Sequence, residues 1–376
     1  MKVKLGEIAE IIMGQSPDSS SYNYEDGLAF FQGNADFGEY YPNVRILCNK
    51  PKKIAVKHDI LISVRAPVGA VNIANDTCAI GRGLAIIRTN ENALNHRYLF
   101  YILKYHRRYI ENLGTGSTFK AISKPILNGL HFDIHNIQTQ KEIVSVLDKV
   151  TTLISRRKEQ LEKLDILVKS KFNEMFGDPV LNPKGWEKKK LGEVCSSIVR
   201  GPFGSALKKE YFVPYDTSVY KVYEQKNAIK QDFNIGSYYI SKEKFLSLKR
   251  FECKTGDIIM SCSGTVGKMY TLPKNAHKGL INQALMKITL SEIMIDKIFK
   301  IYFGLAVDNL VLNGSGIKNI SSVSYLKNIE IPIPPLDLQN QFAEFVEQVE
   351  KNKESIKSSL NQLETLYNAL MQEYFG

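Results

Sequence analysis

The sequence has few cysteines and no long apolar run. Its 376 residues include five cysteines and a single tryptophan. The number of cysteines is odd and no two are spaced as Cys-x-x-Cys, so neither a disulfide framework nor a zinc site is indicated. No run of about 18 apolar residues occurs, which argues against a transmembrane helix, and the first ten residues lack the apolar core of a signal peptide. We expect a cytoplasmic protein with reduced, buried thiols and no membrane partner.

The sequence also lacks recognisable catalytic motifs. Gly267-Lys268 is not part of the phosphate-binding pattern G-x-x-x-x-G-K-[ST], and "GRG" at 81–83 is expected to be a turn. No Asn/Asp-Pro-Pro-Tyr/Phe stretch of the adenine methyltransferase kind occurs. His131 and His135 are four residues apart, but no third ligand with metal-site spacing follows them. We therefore expect neither catalytic residues nor a metal site.

What the chain does have is length, positive charge and an internal repeat. Its length exceeds that of one compact core, and its formal net charge of +11 favours a polyanionic partner. Several segments recur later in the chain in the same order, which indicates a duplication. The matched segments are 5–8 with 191–194, 57–71 with 255–269, 114–123 with 314–321, and 130–134 with 329–333.

Each copy consists of a globular part followed by a long helix. In the globular parts, β-like runs such as "DILISV" and "DIIMSC" alternate with Gly, Asn and Pro turns. In the helices, apolar residues recur at alternating spacings of three and four, as in the seam of a coiled coil, with Arg157 and Lys353 as polar exceptions. We predict an α+β fold in which two similar globular α/β modules are joined by two long helices that form an antiparallel coiled coil, with a pseudo-twofold internal repeat. The predicted interface residues are Ile143, Leu147, Val150, Ile154, Leu161, Leu164, Val168, Phe342, Val346, Val349, Ile356, Leu360, Leu363 and Leu370.

The predicted boundaries follow from this pattern. They are 1–139 for the first module, 140–177 for its helix, 178–188 for a linker, 189–338 for the second module and 339–376 for the second helix. A helix of about 35 residues spans roughly 50 Å, and successive major-groove faces of B-DNA recur about every 34 Å. Two modules at the ends of such a rod would read two short stretches of a duplex with an unread gap between them.

Several polar residues are candidate DNA contacts. Lys104, Arg107 and Arg108 lie among tyrosines in "KYHRRY", although such a charge run is more often a solvated face. Arg65 suits either a guanine edge or an ordinary surface salt bridge. The two Gly-x-Gly loops, at 114–116 and 314–316, suit phosphate oxygens and simple turns equally well. The remaining candidates are Ser117, Thr118, Lys120, Ser261, Ser263, Ser315 and Lys318.

The order of these segments resembles the specificity subunit of type I restriction–modification systems. The resemblance covers essentially the whole chain. It rests on "GSTFKAIS", on the linker "FGDPVLNPKGWEKKKLGEV" and on "IPIPPLDLQNQF", set between modules and heptad helices. The first copy departs from the pattern, because its "LHFDIHNIQTQ" lacks the prolines of the second copy. We therefore expect its strand-to-helix turn to differ in detail.

The resemblance implies that the modules are target-recognition domains, each reading one half of a split sequence in double-stranded DNA, and that the helices set the gap. It implies no catalysis by this chain. Methyltransferase subunits, expected to number two, and restriction/translocase subunits would bind it and carry S-adenosylmethionine, ATP and Mg²⁺. The alternatives are a specificity subunit of another multi-subunit methyltransferase or restriction system, and a protein-binding scaffold. Neither the bases recognised nor the gap length follows from the sequence.

Overall fold

The computed structural model describes residues 2–115, 120–202, 204–313 and 323–376. The chain forms two compact units, one made of residues 1–159 with 356–376 and the other of residues 160–355. Each unit contains one module and a part of both long helices. The chain therefore passes from the first unit to the second within one helix and returns within the other.

The first unit is built on three sheets. Its strands are β1 (Lys2–Lys4), β2 (Ala9–Met13), β3 (Tyr22–Asn23), β4 (Leu28–Phe31), β5 (Leu47–Cys48), β6 (Ile54–Ala55), β7 (Ile60–Ser63), β8 (Val71–Ile73), β9 (Cys78–Ile80), β10 (Leu84–Thr89) and β11 (His131–Asp133). They form sheets of order β2-β10-β7-β8, β3-β5-β4-β9-β6 and β1-β11. Its helices are α1 (Leu5–Ile8), α2 (His96–Tyr105), α3 (Arg107–Asn112), α4 (Lys124–Asn128) and the first part of α5 (Ile137–Phe176).

The second unit repeats this arrangement. Its strands are β12 (Lys188–Lys190), β13 (Cys195–Arg200), β14 (Phe212–Val213), β15 (Tyr220–Tyr223), β16 (Tyr239–Ile240), β17 (Glu252–Cys253), β18 (Ile258–Ser261), β19 (Met269–Thr271), β20 (Gly279–Ile281), β21 (Leu285–Leu290) and β22 (Glu330–Pro332). They form sheets of order β13-β21-β18-β19, β14-β16-β15-β20-β17 and β12-β22. Its helices are α6 (Leu191–Val194), α7 (Gln225–Lys230), α8 (Lys242–Ser247), α9 (Asp296–Asn313), α10 (Val323–Lys327) and the first part of α11 (Leu336–Phe375).

The shared strand order confirms the internal repeat predicted from the matched segments. In each module the central sheet is antiparallel, whereas the second sheet contains one parallel pair, β4 with β9 and β15 with β20. The "DILISV" and "DIIMSC" runs form the buried strands β7 and β18, in which every residue is buried. These strands read as continuous apolar runs because helices cover one face of the central sheet and the second sheet covers the other.

Two buried glutamines show the repeat at atomic detail. The Gln140 side-chain oxygen accepts a hydrogen bond from the Asn95 backbone N–H at 2.9 Å, and its amide donates to the carbonyls of Ala93 and His135. Gln339 accepts from the Ile295 N–H at 2.8 Å and donates to the carbonyls of Ile293 and Pro334.

Both glutamine side chains are fully buried. Because a buried amide is stable only when its polar atoms are paired, each glutamine ties the start of a long helix to the segment that begins the helix of its module.

The long helices pair in an antiparallel way within each unit, as predicted. In the first unit, Ile143 and Leu147 near the start of α5 share a hydrophobic cluster with Met371 and Phe375 near the end of α11. In the second unit, the Phe176 ring near the end of α5 lies 5.4 Å from the Phe342 ring near the start of α11. Opposite ends of the two helices therefore meet in each unit.

The predicted seam residues are buried or half-buried. The buried residues are Ile143, Leu147, Val150, Ile154, Phe342, Val346 and Val349, and the half-buried residues are Leu161, Leu164, Val168, Ile356, Leu360, Leu363 and Leu370. The polar exception Lys353 lies in the second unit, where its ammonium donates to Asp165 at 2.6 Å and to Glu350 at 3.4 Å. Burial opposes its charged form, but these two carboxylates raise the pKa of Lys353.

The first long helix ends at Phe176, directly before Gly177. Gly177 has a φ of +80°, and its N–H donates to the Asn173 carbonyl at 2.8 Å, so it closes the helix in a left-handed conformation. The Trp186 indole donates to the Phe176 carbonyl at 2.9 Å and satisfies another group of the last turn. The helices begin at Ile137 and Leu336, three residues before the predicted boundaries.

Candidate nucleic-acid interface

In the first module, β2, β4, β7 and β9 end at one polar cleft, here called the first corner. The Gly81 N–H donates to the Phe31 carbonyl at 2.8 Å, and the Val64 N–H donates to the Gly83 carbonyl at 2.9 Å. These bonds bring the turn after β9 against the residues that follow β4 and β7. The cleft has a volume of about 210 Å³ and is lined by Ser16, Gln32, Asn34, Ser63, Arg65 and Arg82, among others.

A buried carboxylate fixes the loop that carries Gln32. Asp36 accepts hydrogen bonds from the backbone N–H groups of Gln32 at 2.9 Å and Gly33 at 3.4 Å. It also pairs with the Arg45 guanidinium, whose Nε lies 2.8 Å from Asp36 Oδ1. The Gln32 side chain remains exposed. The loop is therefore held by its backbone, while its side chain is available to a ligand.

The base of the Gly-x-Gly loop adjoins Arg65. Thr115 and Ala121 exchange two backbone hydrogen bonds of 3.0 and 2.9 Å, and Arg65 forms a β-bridge with Ala121. Arg65 and Lys120 are both exposed, so the structure brings these two predicted contacts together. The buried Ser63 hydroxyl donates to the Arg65 carbonyl at 2.9 Å and positions the loop. Ser117 and Thr118 lie outside the described residues.

The basic residues of "KYHRRY" differ in exposure, because Lys104 is half-buried whereas Arg107 and Arg108 are exposed. The Lys104 ammonium lies 5.9, 5.6 and 5.6 Å from the ring centroids of Tyr40, Phe100 and Tyr367, and burial lowers the pKa of Lys104. This position favours a structural cation–π role, and a DNA contact through Lys104 stays a prediction. Arg107 and Arg108 are exposed on α3 and do not line the first corner.

The second module has an equivalent set of strand ends, here called the second corner and comprising Glu224, Gln225, Ser263 and Gln283. The Asn282 N–H donates to the Tyr223 carbonyl at 3.0 Å, and the Cys262 N–H donates to the Ala284 carbonyl at 2.9 Å. These bonds correspond to those of the first corner.

Side chains inside the second corner bond to one another. The Gln225 amide donates to the Ser263 carbonyl, and Glu224 forms an ion pair with Lys226 at 2.8 Å. The buried Ser261 hydroxyl accepts from the Lys268 N–H at 2.9 Å, which is a structural contact. Ser315 and Lys318 lie outside the described residues.

The described residues include no group of three or more His, Cys, Asp or Glu side chains arranged to hold a metal ion. All five cysteines are buried and free. Burial raises the pKa of Cys78 and of Cys195 to about 12, and the pKa of Cys262 to about 11 even though Arg200 opposes the shift. Thiols with such pKa values are poor nucleophiles at neutral pH. The His135 ring nitrogen bonds to the Tyr98 hydroxyl at 2.7 Å.

The corner side chains that sequence reasoning missed include Gln32, Arg82, Glu224, Gln225 and Gln283. Arg82 lies in the "GRG" segment, which the sequence suggested only as a turn. The corner residues differ between the copies, although the matched segments 57–71 and 255–269 already align Arg65 with Ser263. A usable signal was the spacing from the matched runs, because Arg82 precedes "LAIIRT" by two residues as Gln283 precedes "LMKITL".

Comparisons with known proteins agree with this architecture. The family model described as the type I restriction modification DNA specificity domain matches residues 1–163 and again residues 183–365. A Methanocaldococcus jannaschii protein provisionally named as the MjaX type I restriction enzyme specificity subunit is 48% identical over 158 residues, which is 41% of this chain and 37% of that relative. The match thus spans little more than a third of that relative's length.

Solved structures show the same fold over nearly the full chain. The S subunit of a type I restriction–modification system from M. genitalium matches with a TM-score of 0.63 and 15% identity, covering 100% of this chain and 96% of the other. A chain from work on complex assembly and conformational transition of the type I R-M system matches with a TM-score of 0.60 and 16% identity, covering 99% and 96%.

The two matched ranges together account for most of the chain, and each covers one module and most of the helix that follows it. The chain belongs to the type I restriction–modification DNA specificity family, as its sequence resemblance implied. Within the described ranges, no helix combines the length and apolarity that crossing a membrane requires.

Proposed function

We propose that this chain reads a bipartite DNA target, one half-site with each module. One observation carries the proposal: the same fold occurs twice, with closely matched framework bonds and different side chains at the two corners. Two identical readers would need identical corners, whereas readers of two different half-sites need a shared framework and divergent contact residues. The net charge of +11 supplies the phosphate attraction that such binding needs.

The proposal extends to the division of labour in a complex. The chain would carry no catalytic step and would present the DNA to methyltransferase subunits, two in number, and to restriction/translocase subunits. S-adenosylmethionine, ATP and Mg²⁺ would belong to those partners. The match to the type I restriction modification DNA specificity domain supports this division. Such a complex would act on DNA in the cytoplasm.

We further propose that the paired helices set the unread gap between the half-sites. Each long helix has 40 residues, which corresponds to about 60 Å of helix. Within each unit, the start of one long helix packs against the end of the other. A helical pair of fixed register would fix the gap.

DNA binding by the purified chain tests the first part of this proposal. Affinity for a duplex should fall steeply with salt. The logarithm of the binding constant should fall linearly with the logarithm of the salt concentration, with a slope of about −0.9 for each phosphate neutralised. Methylation mapping of host DNA with and without the gene for this chain should then reveal a split motif that depends on it. A chain without salt-dependent DNA binding whose loss leaves methylation unchanged would instead be a protein-binding scaffold.

A further inference from the structure

The strand register shows which residues of the first corner correspond to residues of the second, and it gives three such pairs. The first pair is Gln32 and Glu224, because β4 and β9 pair Phe31 with Ile80 as β15 and β20 pair Tyr223 with Ile281. β7 and β10 pair Ser63 with Leu84, as β18 and β21 pair Ser261 with Leu285. Arg65 and Ser263 each lie two residues beyond the paired serine, and Arg82 and Gln283 each lie two residues before the paired leucine.

The chemistry at these positions differs between the corners in a way that matters for base recognition. Gln32, Arg65 and Arg82 of the first corner are exposed. Among the described residues, neither guanidinium is paired with a carboxylate. An exposed guanidinium can donate two hydrogen bonds to guanine O6 and N7, and a glutamine amide can pair with adenine.

The second corner carries no cation at these positions. Ser263 is half-buried and Gln283 is exposed. Glu224 is already engaged by Lys226 at 2.8 Å, so it is less available to a base. The exposed amide of Gln283 suits adenine rather than guanine. The equivalent positions of the second module therefore cannot repeat the guanine contacts available to the first.

The two corners also differ in shape. At the first corner, a Cβ added to Gly33 would meet no atom within 4 Å, and its φ of −173° suits any residue. The corresponding residue of the second corner is Gln225, whose side chain reaches across to the Ser263 carbonyl. The first corner is thus open where the second is spanned by an amide.

We propose that residues 32, 65 and 82 select bases in the half-site read by the first module, with Arg65 and Arg82 contacting guanines, and that residues 224, 263 and 283 occupy the same role in the second module. This inference rests on the proposed function. It specifies which side chains contact bases and which bases the first module requires.

The test uses the chain assembled with its methyltransferase partners, with methylation mapped over genomic DNA. The variant R65S/R82Q places the side-chain types of Ser263 and Gln283 at the equivalent positions of the first corner. The requirement for guanine in one half-site should weaken by roughly 5- to 150-fold for each arginine replaced, while the other half-site stays unchanged. The reciprocal variant S263R/Q283R should change only the other half-site.

Two further variants separate base reading from charge. R65K/R82K keeps the charge but removes the two-pronged donor, so guanine discrimination should fall while the salt dependence stays. K52S/K57Q removes two exposed positive charges from the same module away from the corner, and it should leave the half-site sequence intact. G33Q should weaken the first half-site without any change of charge.

The outcomes distinguish this inference from the proposed function. If R65S/R82Q weakens all sequences equally and the lysine variant restores them, the arginines contact only phosphates and the inference is wrong. An unaltered motif in every corner variant would also overturn it. If the wild-type chain specifies no split motif at all, the proposed function itself fails.

Discussion

At the residue scale, the modules share the side chains that hold the framework and differ in those that face the corners. Asp59 and Asp257 each accept a backbone N–H three residues earlier, at 2.8 and 2.7 Å. Gly69 and Gly267 both have φ above +80° and donate to the matched serine carbonyls. These residues are identical in the two copies of the sequence, because a buried hydrogen bond or a left-handed turn restricts which residue can occupy the position.

Gln339 offers a residue-scale prediction because its amide is fully buried and bonds three backbone groups. Gln339→Ala leaves those groups unpaired and should lower the free energy of unfolding of the second unit by about 2–3 kcal/mol. Gln341→Ala is the matched control, since Gln341 is exposed on the same turn. Trp186 is the only tryptophan and lies in the second unit, so its fluorescence can follow unfolding. Equal effects of the two variants would contradict the assigned role.

At the element scale, the long helices and the central strands were predictable, whereas the second sheets were not. The helices carry a heptad pattern along most of their 40 residues, β7 and β18 are almost entirely apolar, and β10 and β21 are largely apolar. Strands such as β3, β5 and β14 have only two residues, too few to show a period of two. The half-buried position of Lys104 among aromatic rings was also hidden, because two of the three rings around it come from distant parts of the chain.

The last turn of α11 gives the element-scale prediction. The Phe375 ring lies 5.4 Å from the Tyr98 ring of α2, and the Tyr105 hydroxyl donates to Gln372 at 2.5 Å. Phe375→Ala should cost the first unit about 3 kcal/mol, since it removes a buried ring from the cluster that holds α2.

Amide hydrogen exchange in His96–Tyr105 measures this loss of protection. Glu373→Ala, at an exposed position of the same turn, should leave exchange unchanged. Unaltered protection in Phe375→Ala would show that α11 does not stabilise the first module.

At the scale of the whole molecule, the proposed gap depends on both helices together. Inserting seven residues after Glu159 in α5 alone should disrupt the antiparallel pairing. Matched insertions after Glu159 and after Ser355, where each helix passes between units, should keep the pairing and lengthen the gap by about 3 base pairs, since seven residues add about 10 Å.

Methylation mapping reads the gap directly. If the doubly lengthened chain keeps the original gap, then the helices do not act as the ruler.

The composition of the two units has a consequence for how the protein is made. The second unit is one continuous stretch, residues 160–355, whereas the first unit needs residues 356–376 in addition to residues 1–159. During synthesis, the first module therefore emerges early but lacks Met371 and Phe375 from its core until translation has passed the whole second unit. The module that is translated first is the last to be finished, so its apolar surface stays open to chaperones, proteases or other copies until α11 arrives.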